Sequence, residues 1–227
     1  MKEALNIVWL KRDLRLQDHL PFFEAEHDSK CNYLPIYIME PSAMAYPDSS
    51  LRHLQFVYHS ILEMNTVLAA FNRKIHFVHG EAMDVFTFLS EKFDVQNVYS
   101  YQESGVKVTW NRDKNVSALF KIKGIKWTEF QRDGIIRGIK NRVNWDKNWF
   151  AAVNSPLILN VYSQNKALEK TLPFEMPETL LKSLQNYPES FQRPGESYAM
   201  RYIRSFCEGR GSNYSRHISK PKESRKS

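Results

Sequence analysis

Residues 8–19 read VWLKRDLRLQDH. An apolar run formed by Leu5, Ile7, Val8, Trp9 and Leu10 ends here in Lys11, Arg12, Asp13, Arg15 and Asp18, interleaved with Leu14 and Leu16. The run has the length and the β-branched and aromatic content of a strand. The stretch after it is too charged for a core strand and too regularly spaced with leucine for a plain surface loop. Fixed charge is therefore needed where the first strand ends.

Outward from this strand, short apolar runs alternate with helical patterns. Leu5–Leu10, Tyr33–Ile38, Ile75–Val78, Val95–Tyr101 and Ile125–Phe130 read as strands. Between them Leu51, Leu54, Val57, Tyr58, Ile61, Leu62 and Leu68 keep helical spacing, interrupted at Asn65, with Ser49 or Ser50 placed as N-cap. Ala82, Val85, Phe86 and Leu89 mark a second helix and Trp110 to Phe120 a third. Strands alternating with helices predict an α/β domain, a doubly wound parallel sheet of five strands covered on both faces. Its expected extent is residues 1–131.

Residues 132–194 read as a linker laid over a surface. The stretch 134–150 is irregular, and prolines recur at 156, 173, 177, 188 and 194. Residues 195–227 open with a helix near Gly195 in which Tyr198, Tyr202, Ile203 and Phe206 share a face, ended by Gly209 and Gly211. A basic tail follows with no second core, as if a further domain had only begun.

Composition excludes several classes. The chain of 227 residues is 42% hydrophobic and 13% aromatic, enough to build a core. No run approaches the ~20 apolar residues of a membrane span. Cys31 and Cys207 lie far apart without metal-ligand spacing, which fits a reducing cytoplasm. Net charge is +7 but uneven: residues 1–106 hold 9 Lys/Arg against 14 Asp/Glu, residues 107–147 hold 11 against 4, and residues 193–227 hold 9 against 3. The basic segments suit an anionic partner or are simply solvated helix faces.

Ligands of open parallel sheets bind at the carboxyl ends of the strands, where strand order reverses. Lys11 to Asp18 lie at such an end, and an arginine there clamps a carboxylate or phosphate. The competing reading is internal, with Arg12, Asp13 and Arg15 pairing among themselves or capping neighbouring strands. No G-x-G-x-x-G or G-x-x-x-x-G-K-[ST] appears, which disfavours an ordinary dinucleotide or P-loop site. His53 and His59 fall on different faces of one helix, His76 and His79 flank a strand, and neither pair suits a metal. Trp9 and Trp127 fall in strands, where packing explains them.

VWLKRDLRLQDH resembles the N-terminal signature of the DNA photolyase/cryptochrome family, a hydrophobic strand followed by R-x-D-L-R, two residues and an Asp. Further stretches agree in order: IYIMEPSAM, YSYQESGVKVTWNRDKNV with Arg112 and Asp113, GIKWTEFQRDGIIRGIKNRVNW, and FCEGRGSNYSRHISKP. The resemblance covers nearly the whole chain. It implies a Rossmann-like N-terminal domain holding a light-harvesting antenna (a folate, a deazaflavin or a flavin), then the start of a helical domain that binds FAD and grips damaged DNA.

By the same resemblance Arg12, Glu40, Gln102 and Glu103 surround the antenna pocket, and Tyr214 matches a residue of the FAD phosphate site. The chemistry suits it, since Arg12 offers a fork to an anionic ring and Glu103 accepts from ring nitrogens. The remaining flavin contacts would follow residue 227. Taken alone, the chain is expected to bind FAD poorly and not to repair DNA, so enzymatic activity belongs to a complete protein. The alternatives are a cryptochrome-type photoreceptor or a stand-alone α/β nucleotide-, flavin- or protein-binding module.

Overall fold

The computed structural model describes residues 2–28, 30–131, 133–164 and 172–220. Five strands form one parallel sheet: β1 (Ala4–Leu10), β2 (Asn32–Met39), β3 (His76–His79), β4 (Asp94–Tyr101) and β5 (Lys126–Phe130). Their order is β3-β2-β1-β4-β5, so the winding reverses between β1 and β4. All five strands were legible in the sequence: β1, β2 and β4, paired on both sides, read as near-continuous apolar runs, and the edge strands β3 and β5 as short runs with Val or Thr beside aromatic residues.

Alternation along β1 divides the core. Leu5, Ile7 and Trp9 face one layer, with Val85, Phe86, Leu89, Val116 and Phe120 from α4 (Ala82–Lys92) and α5 (Lys107–Lys123). Val8 and Leu10 face the other, with Phe22 and Ala25 from α1 (Leu20–His27) and Ile61, Met64 and Leu68 from α3 (Leu51–Leu68). The short α2 (Pro41–Met44) follows β2. Asn65 interrupts the apolar stripe of α3 because it clamps the start of β3: its side chain accepts from Ile75 N at 2.7 Å and donates to Ile75 O at 3.0 Å. Ser50 occupies the N-cap of α3 but makes no side-chain capping bond.

α1 was not read in the sequence, and α6 lies within the stretch read as linker. α1 has a histidine cap: His19 Nδ1 accepts from Phe22 N at 3.2 Å, an unusual choice that no Ser, Thr or Asp signal marks. α6 (Trp145–Val153) begins at Asn144 in the left-handed region and closes the stretch read as irregular.

Residues 158–162 and 174–184 pack against the sheet and its helices. Asn160 is buried, accepting from His19 N and donating to His19 O, both at 2.9 Å. Tyr162 Oη donates to Leu16 O at 2.7 Å. Phe174 O accepts from His79 N at 2.9 Å, alongside β3 at the sheet edge. α7 (Glu178–Gln185) seats the fully buried Leu184 against α3, where Gln55 donates to the carbonyls of Ser183 and Asn186. α8 (Glu196–Glu208) follows, then the single turn α9 (Tyr214–His217). No helix among the described residues is long and apolar enough to cross a membrane.

Candidate functional site

A cleft of about 800 Å³ opens over the carboxyl ends of β1, β2 and β4, at the reversal of strand order. Leu54, Phe56 and Val57 of α3, Met44 of α2, and Met200 and Ile203 of α8 give it apolar walls. Its floor is ionic, formed by Lys11, Arg12, Asp13, Glu40, Glu103 and Arg112 with the Tyr37 ring beside them.

Arg112 organises the floor. Its Nη1 donates to Glu40 Oε1 at 2.7 Å, its Nη2 to Glu103 Oε2, and its Nε to Asp113 Oδ1 at 2.9 Å. One guanidinium thereby ties the ends of β2 and β4 to α5, using the planar fork that lysine lacks. Gly105 makes room in the β4–α5 connection: a Cβ there would lie 2.2 Å from Thr109 Oγ1 and 2.9 Å from Glu103 Oε1.

The charges that ended the first strand divide by direction. Lys11 turns inward, its Nζ 3.0 Å from Asp113 Oδ2 and 4.3 Å from the Trp9 ring centre. Asp13 is buried, accepting from Lys11 N at 2.9 Å and pairing with His19 Nε2 at 2.7 Å. With His19 Nδ1 accepting from Phe22 N, its Nε2 is the nitrogen that donates to Asp13. Arg15 folds back to donate to Asp18 O from Nη2 at 2.6 Å and from Nε at 3.0 Å, fixing Asp18 at φ 54°. Only Arg12 reaches out: its Nε bonds Glu103 Oε1 at 3.2 Å while 58% of the side chain stays exposed. Arg12, Asp13 and Arg15 do not pair among themselves: Asp13 pairs with His19, Arg15 with Asp18, and Arg12 with Glu103 at the end of β4.

Two carboxylates on one arginine titrate in opposite directions. Burial pushes Glu40 above the usual carboxylate range, and Arg112 only partly offsets it. Burial also opposes ionisation of Glu103, but Arg112, Lys11 and Arg12 together outweigh it and hold that pKa down. Burial lowers the pKa of Lys11, with Asp113 opposing. The Tyr37 phenol is pushed up by burial and by Glu103. Glu40 further accepts from Ala82 N at 3.3 Å, at the start of α4.

Arg12, Glu40 and Glu103 therefore come together around Arg112. Gln102 lies next to them in sequence but outside the cleft lining, with its backbone N–H on Phe130 O at 2.8 Å. Tyr214 stands apart on α9, its ring against Phe206. Sequence reasoning missed Tyr37 and the organising role of Arg112, whose partners lie 9 and 72 positions away. Among the described residues no three His, Cys, Asp or Glu side chains converge to hold a metal ion. A second hollow of about 570 Å³ lies at the amino ends of the strands, where Asn6, Asp28, Asn97 and Tyr99 bond one another.

The sequence model of the DNA photolyase family matches residues 6–139. The deoxyribodipyrimidine photo-lyase of Buchnera aphidicola is 19% identical over 216 residues, 89% of this chain and 44% of that protein. The enzyme of the same name from Salmonella typhimurium is 29% identical over 131 residues, 58% of this chain and 24% of that protein. Among solved structures, the Synechocystis cryptochrome superposes with a TM-score of 0.70 at 16% identity, covering 95% of this chain and 49% of that one. A class III photolyase from Agrobacterium tumefaciens gives 0.68 at 21% identity, covering 95% and 47%. An archaeal photolyase from Sulfolobus tokodaii, solved with two FAD molecules, gives 0.63 at 18% identity, covering 88% and 46%. The chain spans about half the length of these relatives or less. With more than half of its residues matched by the family's sequence pattern and its fold matched by three solved structures, the chain belongs to the DNA photolyase family.

Proposed function

We propose that this chain is the chromophore-binding portion of a blue-light flavoprotein, holding a light-harvesting antenna in the cleft above β1, β2 and β4. The observation that carries the proposal is an ionic floor beneath apolar walls at the reversal of strand order. A planar heteroaromatic ring fits such a site. Its faces would lie against Leu54, Val57, Met200 and Ile203, and its ring N–H groups would meet the carboxylates of Glu40 and Glu103. Arg12, half free of Glu103, suits a peripheral anionic group of the same ligand. The Sulfolobus photolyase, with two FAD molecules and a proposed light-harvesting cofactor, supports a flavin as the first candidate, with folate and deazaflavin next.

In the complete protein, residues 1–131 would form the antenna domain, 132–194 the linker, and 195–227 the opening of a helical FAD domain that contains Tyr214. The antenna, when bound, absorbs light and passes excitation on. Bound FAD would use it in electron transfer to damaged DNA, with the protein supplying position and a dry pocket. The chain's own residues hold and orient the ring, exclude water with the α8 wall, and keep Glu103 ionised.

The test is a near-ultraviolet and blue absorption spectrum of the purified chain, followed by fluorescence titration with FMN, FAD, a reduced folate and a deazaflavin. Saturable uptake at one site that Glu103→Ala weakens supports the proposal. A folded chain that carries no chromophore and takes up none of the four refutes it.

A further inference from the structure

Trp9 and Trp127 form a contacting pair, ring centres 5.7 Å apart, directly beneath the cleft floor. Trp9 is 1% exposed and itself lines the cleft. Two cations touch this pair. Lys11 Nζ lies 4.3 Å from the centre of the Trp9 ring and 5.1 Å from that of Trp127, and the Arg112 guanidinium lies 4.9 Å from Trp9. Their carboxylate partners are Asp113 and Glu129 for Lys11, and Glu40, Glu103 and Asp113 for Arg112. Each ion pair thus presents its positive end to an indole.

Placing a cation on an indole face has a photochemical consequence. A light-excited flavin-type ring held within contact range takes one electron from an indole. The ring becomes a radical anion, the indole becomes a radical cation, and the excitation is lost as heat when the electron returns. A positive charge already on the indole raises the energy of the radical cation, and the dry surroundings leave that repulsion poorly screened. The radical has no easy exit by proton loss either, since Trp127 Nε1 donates to the Ser100 hydroxyl, 3.0 Å away, rather than to a carboxylate.

We infer that Lys11 and Arg112 protect a chromophore in the cleft from electron-transfer quenching by Trp9 and Trp127. The inference rests on the chromophore reading of the cleft. It gives the inward-turning lysine a role that pairing with Asp113 alone does not require, because an apolar side chain would pack on the two indoles equally well.

The test removes dependence on affinity by tethering the probe. A flavin maleimide is attached to Met44→Cys, on the cleft wall, in a chain carrying Cys31→Ser, Cys207→Ser, Tyr37→Phe and Tyr46→Phe, the last two removing the tyrosine rings of the lining. Fluorescence lifetime of the tethered flavin is the readout. Trp9→Phe alone is expected to leave the lifetime unchanged. Lys11→Met is expected to shorten it severalfold, and adding Trp9→Phe and Trp127→Phe to Lys11→Met to restore it. A severalfold longer lifetime in Trp9→Phe alone, or no change in folded Lys11→Met, overturns the inference. Should Lys11→Met fail to fold, the Trp9→Phe result decides. Failure of free FMN, FAD, folate and deazaflavin to bind the native chain counts against the chromophore reading itself and leaves these lifetime outcomes separately readable.

Discussion

His19 Nε2 donates to Asp13 Oδ2 at 2.7 Å while His19 Nδ1 accepts from Phe22 N at 3.2 Å, so one buried imidazole both holds the carboxylate at the end of β1 and caps α1. The β1–α1 connection depends on this bond, because the same loop carries Arg12 into the cleft and receives Asn160 on its other side.

Asp13→Asn is expected to lower stability by about 1–3 kcal/mol at neutral pH, the range for a buried hydrogen bond left mismatched. Burial opposes the charge on Asp13, but the hydrogen bond and charge of His19 and the hydrogen bond from Lys11 N overcome it and bring the pKa below its ordinary 3.8. A depressed carboxylate pKa gives stability that is complete above the ordinary value and lost as pH falls through the folded one. Urea denaturation at neutral and strongly acidic pH should therefore show a smaller acid-induced loss in Asp13→Asn than in the native chain.

Glu40→Gln and Glu103→Gln should behave differently although both carboxylates bond Arg112. Glu103, with its pKa lowered, contributes stability above its ordinary 4.5, so Glu103→Gln should cost about 1–3 kcal/mol at neutral pH. Glu40, with its pKa raised, contributes stability that falls as pH rises through the folded value, so Glu40→Gln should change neutral-pH stability by less than about 1 kcal/mol. Denaturant midpoints of the two variants, compared side by side, check the ordering.

Arg12→Ala should separate binding from folding. Its ion pair with Glu103 has an exposed guanidinium and is worth about 1 kcal/mol or less to stability. Flavin or folate affinity, measured by fluorescence titration, should fall about tenfold, equal to about 1.4 kcal/mol. Equal losses of stability and affinity would mean that Arg12 only orders the strand end.

Gly195→Ala tests the α8 wall. Gly195 has φ 107°, and a Cβ there would lie 1.3 Å from Glu63 Oε2, the carboxylate whose Oε1 accepts from Ser197 N at 3.0 Å. The substitution should cost about 1–3 kcal/mol in backbone strain. It should also raise hydrogen exchange across residues 196–208 while leaving the strands protected.

The apolar runs disclosed five strands, and Gly195 marked the start of α8, because strand periodicity and backbone freedom leave local signatures. α1 went unread because its cap is a histidine, and α6 because a left-handed Asn144 starts it inside a basic, irregular stretch. Arg12, Glu40, Gln102 and Glu103 were candidates only through the family resemblance, and of the four Gln102 lies outside the cleft lining. Its neighbour Glu103 is the one whose side chain meets Arg112.

The sequence by itself determined a parallel α/β sheet, a charged end to its first strand and membership of a family. Periodicity and motif are properties of neighbours along the chain. Which charge faces inward was decided only in three dimensions, where the winding reverses between β1 and β4 and brings Lys11 to Asp113 across 102 positions. Pairing in a dry interior depends on distance through space, and residue spacing does not encode it.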